Sequence, residues 1–283
     1  LDVLHGANIE IMSPTFMTQR QISQDDAMIP RRAHRAARTK RNHPAPEEKI
    51  FEKANRAAGI EDLKAKHAKI IDELEELEGR ARCDLEAANA LTSLGQFEEA
   101  DELYRRVRAV FDALGHDAQV LLSDANRAVL LARTGKLEEA AELNTSLVAR
   151  ATNAEITWLV GDISNHLARN LIELDRPTDA MAVLDAQDPE VMEKPAAVQS
   201  AALRAKALLA TGRRAMAARA AEDGLLLAAD AEMIAERAEL YEMRGLSRLS
   251  SRSGPRVAAA ERDLAHAVAL YLAVGLTERA REL

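Results

Sequence analysis

The stretch Leu94-Gly95-Gln96-Phe97-Glu98-Glu99-Ala100 returns as Thr134-Gly135-Lys136-Leu137-Glu138-Glu139-Ala140, and again as Leu174-Asp175-Arg176-Pro177-Thr178-Asp179-Ala180. Gly95 and Gly135 are 40 residues apart, and so are Gly135 and Asp175. A fixed period of this size marks stacked supersecondary units rather than one closed core. The residue types within each copy answer to helix ends. A glycine just past a helix takes a left-handed conformation at no steric cost. The acidic residues after it fall in the first turn of the next helix, where they complement the macrodipole. The alanine that follows leaves room for the partner helix of a hairpin. Gly95, Gly115 and Gly135 stand 20 residues apart, one helix and its turn each.

Working outward from these copies, the pattern predicts helices over 80–94, 97–114, 118–133, 137–150, 154–174, 178–186, 196–210, 214–228, 231–250 and 256–274, with another from 276. A fourth copy begins at Thr211-Gly212-Arg213, 37 residues after Asp175. A fifth is weaker: Gly245 stands where its first helix needs a small residue. Pro189 and Pro195 loosen the link over 187–195. Apolar residues make up 47% of the chain and aromatics only 3%, so small side chains carry the burial and helix axes can approach closely. The expected fold is all-α: a right-handed solenoid of about five antiparallel helix hairpins.

Three regions are expected: a basic, largely disordered arm over 1–46, leading helices over 47–79, and the solenoid over 80–283. Four of the eight prolines fall in the arm, and Pro46-Glu47-Glu48 suits a first helical turn. The arm carries a net charge of +3 on a chain whose total is −8. In the leading region Ile60, Leu63, His67, Ile70, Leu74 and Leu77 follow a heptad spacing of fewer than three repeats. The seam can pack on the first repeat or form a homodimer. Cys83 is the only cysteine, which excludes an intramolecular disulfide and makes a cytoplasmic location the default. No apolar run is long enough to span a membrane.

The register resembles the tetratricopeptide repeat family over residues 80–275. The matching residues are Gly95, Phe97, Ala100 and Tyr104 in one copy and Gly135, Leu137 and Ala140 in the next, with Asn144 departing at the last position. The family's small residue before the turn is present as Ala88, Ala128, Ala168 and Ala205. Two features depart from the family: a period nearer 40 residues than about 34, and few aromatics. Longer helices of this kind resemble repeats in bacterial regulatory proteins. The resemblance implies that the first helix of each hairpin lines a concave groove. On this chain the inner positions are then Arg82, Leu85, Asn89, Asn126, Val129, Arg133, Asn165, Arg169 and Lys206. Asparagine amides can grip an extended peptide backbone, and guanidinium forks suit carboxylates. Asn89 and Asn126 match the family's carboxylate clamp, but Leu85 replaces its basic partner.

Catalytic signatures are missing: no glycine-rich phosphate loop, no Gly-x-Ser-x-Gly and no His-Glu-x-x-His. No two of the seven histidines stand three or four residues apart, which excludes a histidine metal site within one helix. No cofactor is implied. Cys83 is expected to be a small packed residue, and Trp158 to be part of the core. The basic run Arg31, Arg32, Arg35, Arg38, Lys40 and Arg41 contains no acid and no aromatic, so it offers phosphate contacts without base stacking. The leading expectation is a non-catalytic scaffold that takes a peptide or helix of another protein in its groove. The alternative is the sensing portion of a bacterial transcriptional or signalling regulator, with the arm contacting nucleic acid.

Overall fold

A computed structural model describes residues 46–229, 233–249 and 254–283. The predicted arm up to residue 45, with Arg31, Arg32, Arg35, Arg38, Lys40 and Arg41, lies outside the described residues. The described secondary structure is helical throughout. It begins with α1 (Pro46–Leu94), α2 (Phe97–Leu114), α3 (Asp117–Arg133) and α4 (Leu137–Asn153). Then come α5 (Thr157–Glu173), α6 (Pro177–Asp185), α7 (Lys194–Ala210) and α8 (Arg214–Leu227). The last three are α9 (Ile234–Arg248), α10 (Gly254–Ala273) and α11 (Thr277–Glu282). The expected start at residue 80 is absent, because α1 runs unbroken from Pro46. The described residues form two compact units that divide within α1, one ending at Cys83 and the other beginning at Asp84.

The second unit is an α-solenoid. Consecutive helices pack as antiparallel hairpins, and the backbones of α3, α5, α7 and α9 also approach one another in succession. Helices α4, α6 and α8 contact only the helices before and after them among the described residues. The first helices of the hairpins therefore form the tighter, inner layer. Their small residues Ala88, Ala128, Ala168 and Ala205 are 0% exposed, and so are Ala100, Ala140, Ala180 and Ala217 on the second helices. Gly245 serves the same end in α9: a Cβ there would stand 2.8 Å from Cγ of Leu264. Leu167 and Leu171 of α5, Leu184 of α6 and Leu203 of α7 join in one apolar cluster, so the core runs on from hairpin to hairpin.

Every described turn between adjoining helices from α1 to α6 is closed alike. The amide of Gly95 donates to Thr92 O at 3.2 Å and that of Gln96 to Leu91 O at 2.9 Å. The same pair of bonds recurs from Gly135 and Lys136, and from Asp175 and Arg176. Each pair satisfies carbonyls that the helix end leaves open and needs a left-handed residue at its centre. The helix starts carry no side-chain cap, and Glu98, Glu99, Glu138 and Glu139 supply first-turn negative charge instead. The 20-residue rhythm of Gly95, Gly115 and Gly135 continues through Glu155 (φ 57°) and Asp175 (φ 58°), which adopt the left-handed conformation without being glycine.

Carboxylates strap the layers together. Asp124 of α3 is bridged by Arg108 of α2 and Arg150 of α4, each at 3.1 Å. Asp263 of α10 is held by Arg244 and Arg248 of α9, each at 2.6 Å. These carboxylates are almost fully buried, so losing both arginines would leave an unpaired buried charge.

Two expectations about packing, those for Cys83 and Trp158, are corrected, and the seam of the leading helix is exposed. The heptad seam is not buried: Leu63, Ile70, Leu74 and Leu77 are 65, 54, 46 and 41% exposed. The described residues of that unit are α1 alone, which has no second element to cover the seam. Cys83 is exposed rather than packed. It stands two residues from buried Ala81 and Leu85, about 200° around the helix from each. Trp158 is 38% exposed because it precedes Leu159 and Ile163, which carry the buried stripe of α5.

Replacing Glu155 by glycine is expected to stabilise the chain by about 0.5–1 kcal/mol in urea denaturation, since a left-handed Glu is strained and glycine is not. Asp175→Gly gains less, because aspartate tolerates this conformation better. A Glu155→Gly chain no more stable than its parent contradicts the turn strain.

Candidate functional site

The inner layer carries the candidate groove, but its asparagines face inward. Asn89 is 3%, Asn126 1% and Asn165 2% exposed. Asn89 Oδ1 accepts from Tyr104 Oη at 2.8 Å and from Asn126 Nδ2 at 3.1 Å, which joins α1, α2 and α3 through one oxygen. Asn165 Nδ2 donates to Ala196 O at 2.8 Å, and its Oδ1 accepts from Gln187 Nε2 at 2.9 Å. Buried amides need such partners, and these are found within the fold. The sequence reading that these asparagines grip a peptide is corrected on this ground. Burial pushes the Tyr104 hydroxyl up to about 12, so it remains a donor to Asn89. Val129 and Leu85 are also buried.

The basic positions differ from the amides. Arg133 is partly buried, its guanidinium carbon 5.7 Å from the centre of the Phe97 ring. Burial lowers its pKa, and among the described residues no carboxylate bridges it. Arg169 of α5 lies 3.7 Å from Glu239 of α9. Lys206 of α7 lines a small cavity of about 10 Å³ with Glu239, Glu242, Tyr271 and Arg279. In that cavity Glu242, 1% exposed, accepts from Tyr271 Oη at 2.7 Å and is paired with Arg279. Burial opposes charge on Arg279, and Glu242 more than offsets it. Arg82 lies in the unit that ends at Cys83 and bridges Glu78 one turn earlier. Acidic Glu239 and Glu242 thus stand among the basic inner-layer positions, where the sequence pointed to amides and basic groups alone.

Two titrating groups on α5 escaped the sequence reading. Burial, with Arg169 beside it, pulls His166 down to about 4. Burial, reinforced by Glu193, pushes Asp162 up to about 6. They stand four residues apart on one helix face. A period-3.6 pattern marks that face, but nothing in the sequence shows how far the neighbouring helix covers it.

A second concavity, about 420 Å³, lies where α6 stops after nine residues. Leu184, Met192, Ser200, Arg204, Met216 and Asp223 are among its lining residues. Among the described residues no group of three or more His, Cys, Asp or Glu could hold a metal ion. No described helix is long and apolar enough to cross a membrane.

No protein-family model matches the chain, and no curated protein sequence does either. Among solved structures, the chain is similar to one described as "Podosopora anserina putative kinesin light chain nearly identical TPR-like repeats". Identity is 20%, the TM-score is 0.52, and the match covers 70% of this chain and 98% of that one. A single-substitution variant of the same protein gives a TM-score of 0.54 at 20% identity, covering 70% of this chain and 97% of that chain. The likeness shows a tetratricopeptide-like repeat fold.

Unfolded, His166 takes up its proton near 6.5; folded, it resists until about 4. Between those values the unfolded chain binds more protons, so this group makes stability fall as pH drops. Asp162 acts in the opposite sense, since the folded chain protonates it near 6 and the unfolded chain near 3.8. Replacing His166 by Gln removes the first effect alone. From pH 7 to pH 5 the parent is expected to lose about 1–2 kcal/mol more than His166→Gln in urea denaturation. Equal losses contradict an imidazole that stays neutral in the folded chain.

Proposed function

We propose that this chain is a non-catalytic scaffold that binds a peptide or helix of another protein along the inner face of its helical stack. Arg133 carries the reading. Its guanidinium is partly desolvated, is positioned by the Phe97 ring, and has no carboxylate bridging it among the described residues. A desolvated and preorganised guanidinium binds a carboxylate more strongly than a free surface arginine does. Arg169, Glu239 and Lys206 extend the row across α5, α9 and α7, so an acidic anchor near Arg133 would be followed by polar contacts of both signs. The second helices supply the rigid backing, and little ordering accompanies binding.

The test uses peptides selected from a random displayed library on the immobilised chain. Acidic peptides are expected, and Arg133→Glu is expected to weaken them by about tenfold or more in calorimetry, with helicity and denaturation midpoint unchanged. Selected peptides that bind Arg133→Glu as tightly as the parent overturn the reading.

A further inference from the structure

We propose that α1 joins two copies of this chain as an antiparallel two-helix coiled coil centred on His67–Ile70. The inference is independent of the groove. Between Leu63 and Leu77, five large apolar side chains stand exposed on one helix: Leu63, Ile70, Ile71, Leu74 and Leu77. Four of them follow the alternating three-and-four spacing of a seam, and Ile71 widens it on one side. Scattered exposed apolar residues need no account, but a contiguous helical stripe of this kind marks an interface.

The charges beside the seam choose the occupant and its direction. Lys66 and Glu73 take the same flanking position in successive heptads, with Ile71 and Glu78 on the opposite flank. In a parallel pair, Glu73 of one copy would face Glu78 of the other, and Lys66 would face Ile71. The first contact is repulsive and the second makes no ion pair. In an antiparallel pair, Lys66 of each copy meets Glu73 of the other, so the attractive contact forms twice by symmetry. The layers then place Leu63 against Leu74 and His67 against Ile70, while Ile71 lies along the stem of Lys64. The same chain is therefore its own complement in one direction only.

Nothing in the isolated helix stands in the way. Lys66 bonds Asp62 at 2.8 Å and Glu73 approaches Lys69 at 3.6 Å, all of them largely exposed. Exposed pairs within one helix are weak, so exchanging them for pairs between copies costs little. His67 is the one polar seam residue and falls in the two central layers, where it limits the affinity of a short seam.

Sedimentation equilibrium of the full chain is the test. The expected species at micromolar concentration has twice the 30.9 kDa chain mass. Ile70→Glu with Leu74→Glu is expected to weaken association at least about 100-fold, and His67→Leu to strengthen it, with unchanged helical content. Glu73→Lys alone and Lys66→Glu alone each turn both ion pairs repulsive and should weaken the dimer about tenfold. An equimolar mixture of the two variants should restore it as a heterodimer. A parent chain that is monomeric at about 100 μM overturns the proposal. So does a dimer that survives the Ile70 and Leu74 substitutions, a dimer tightened by Glu73→Lys (the parallel result), or a mixture that fails to pair.

Discussion

Hairpin after hairpin in this molecule turns on one left-handed residue, whose amide and the next close the end of one helix and start the following one. The bonds are backbone bonds, so they recur wherever the left-handed conformation is allowed. The turns at Gly95, Gly115, Gly135, Glu155 and Asp175 hold successive helices to a nearly equal length. Equal helices and equal turns return each alanine to the same level of the stack, where neighbouring helices need a small side chain. Where the rhythm lapses, after Asp175, α6 stops after nine residues and the second concavity opens beside it.

Above that backbone scheme, buried polar groups couple one repeat to the next. Asn89, Tyr104 and Asn126 share one carbonyl oxygen across three helices, and Asn165 ties α5 to the start of α7. The second repeat lacks this device at one point. Asn144 occupies the position of Tyr104, one 40-residue period on, and neither atom of its buried amide has a partner among the described residues. One period on, Val129 stands where Asn89 accepts from Tyr104, so the equivalent acceptor is missing. Such an orphan amide costs stability where it stands.

The architecture was open to reading because its causes are local and repeated. Turn glycines, first-turn acids and small residues at fixed offsets each act within a few residues, and ten of the predicted helices match described ones to within a few residues. Glu155 was missed because its left-handed backbone is imposed by the stack and not by its own side chain. The site was less legible. Helical spacing locates the inner face, but whether Asn126 is a strut or a ligand depends on how closely α1 approaches α3. The same limit applies to Cys83 and Trp158, whose exposure follows from which side of the helix a neighbour covers. Of the basic positions, Arg133 lies beside the Phe97 ring, while Glu239 and Glu242 pair with Arg169 and Arg279.

Asn126 joins α3 to α1 through Asn89, whereas the Arg133 guanidinium lies beside the Phe97 ring, and it is Arg133 that the proposed function assigns to a partner. The affinity of the Asn126→Ala chain for a groove-selected acidic peptide, read against its urea midpoint, tests this most directly. An affinity within about twofold of the parent, with stability lowered by about 1–3 kcal/mol, is the predicted result. A large loss of affinity with the midpoint unchanged would show that Asn126 is a ligand and would contradict it.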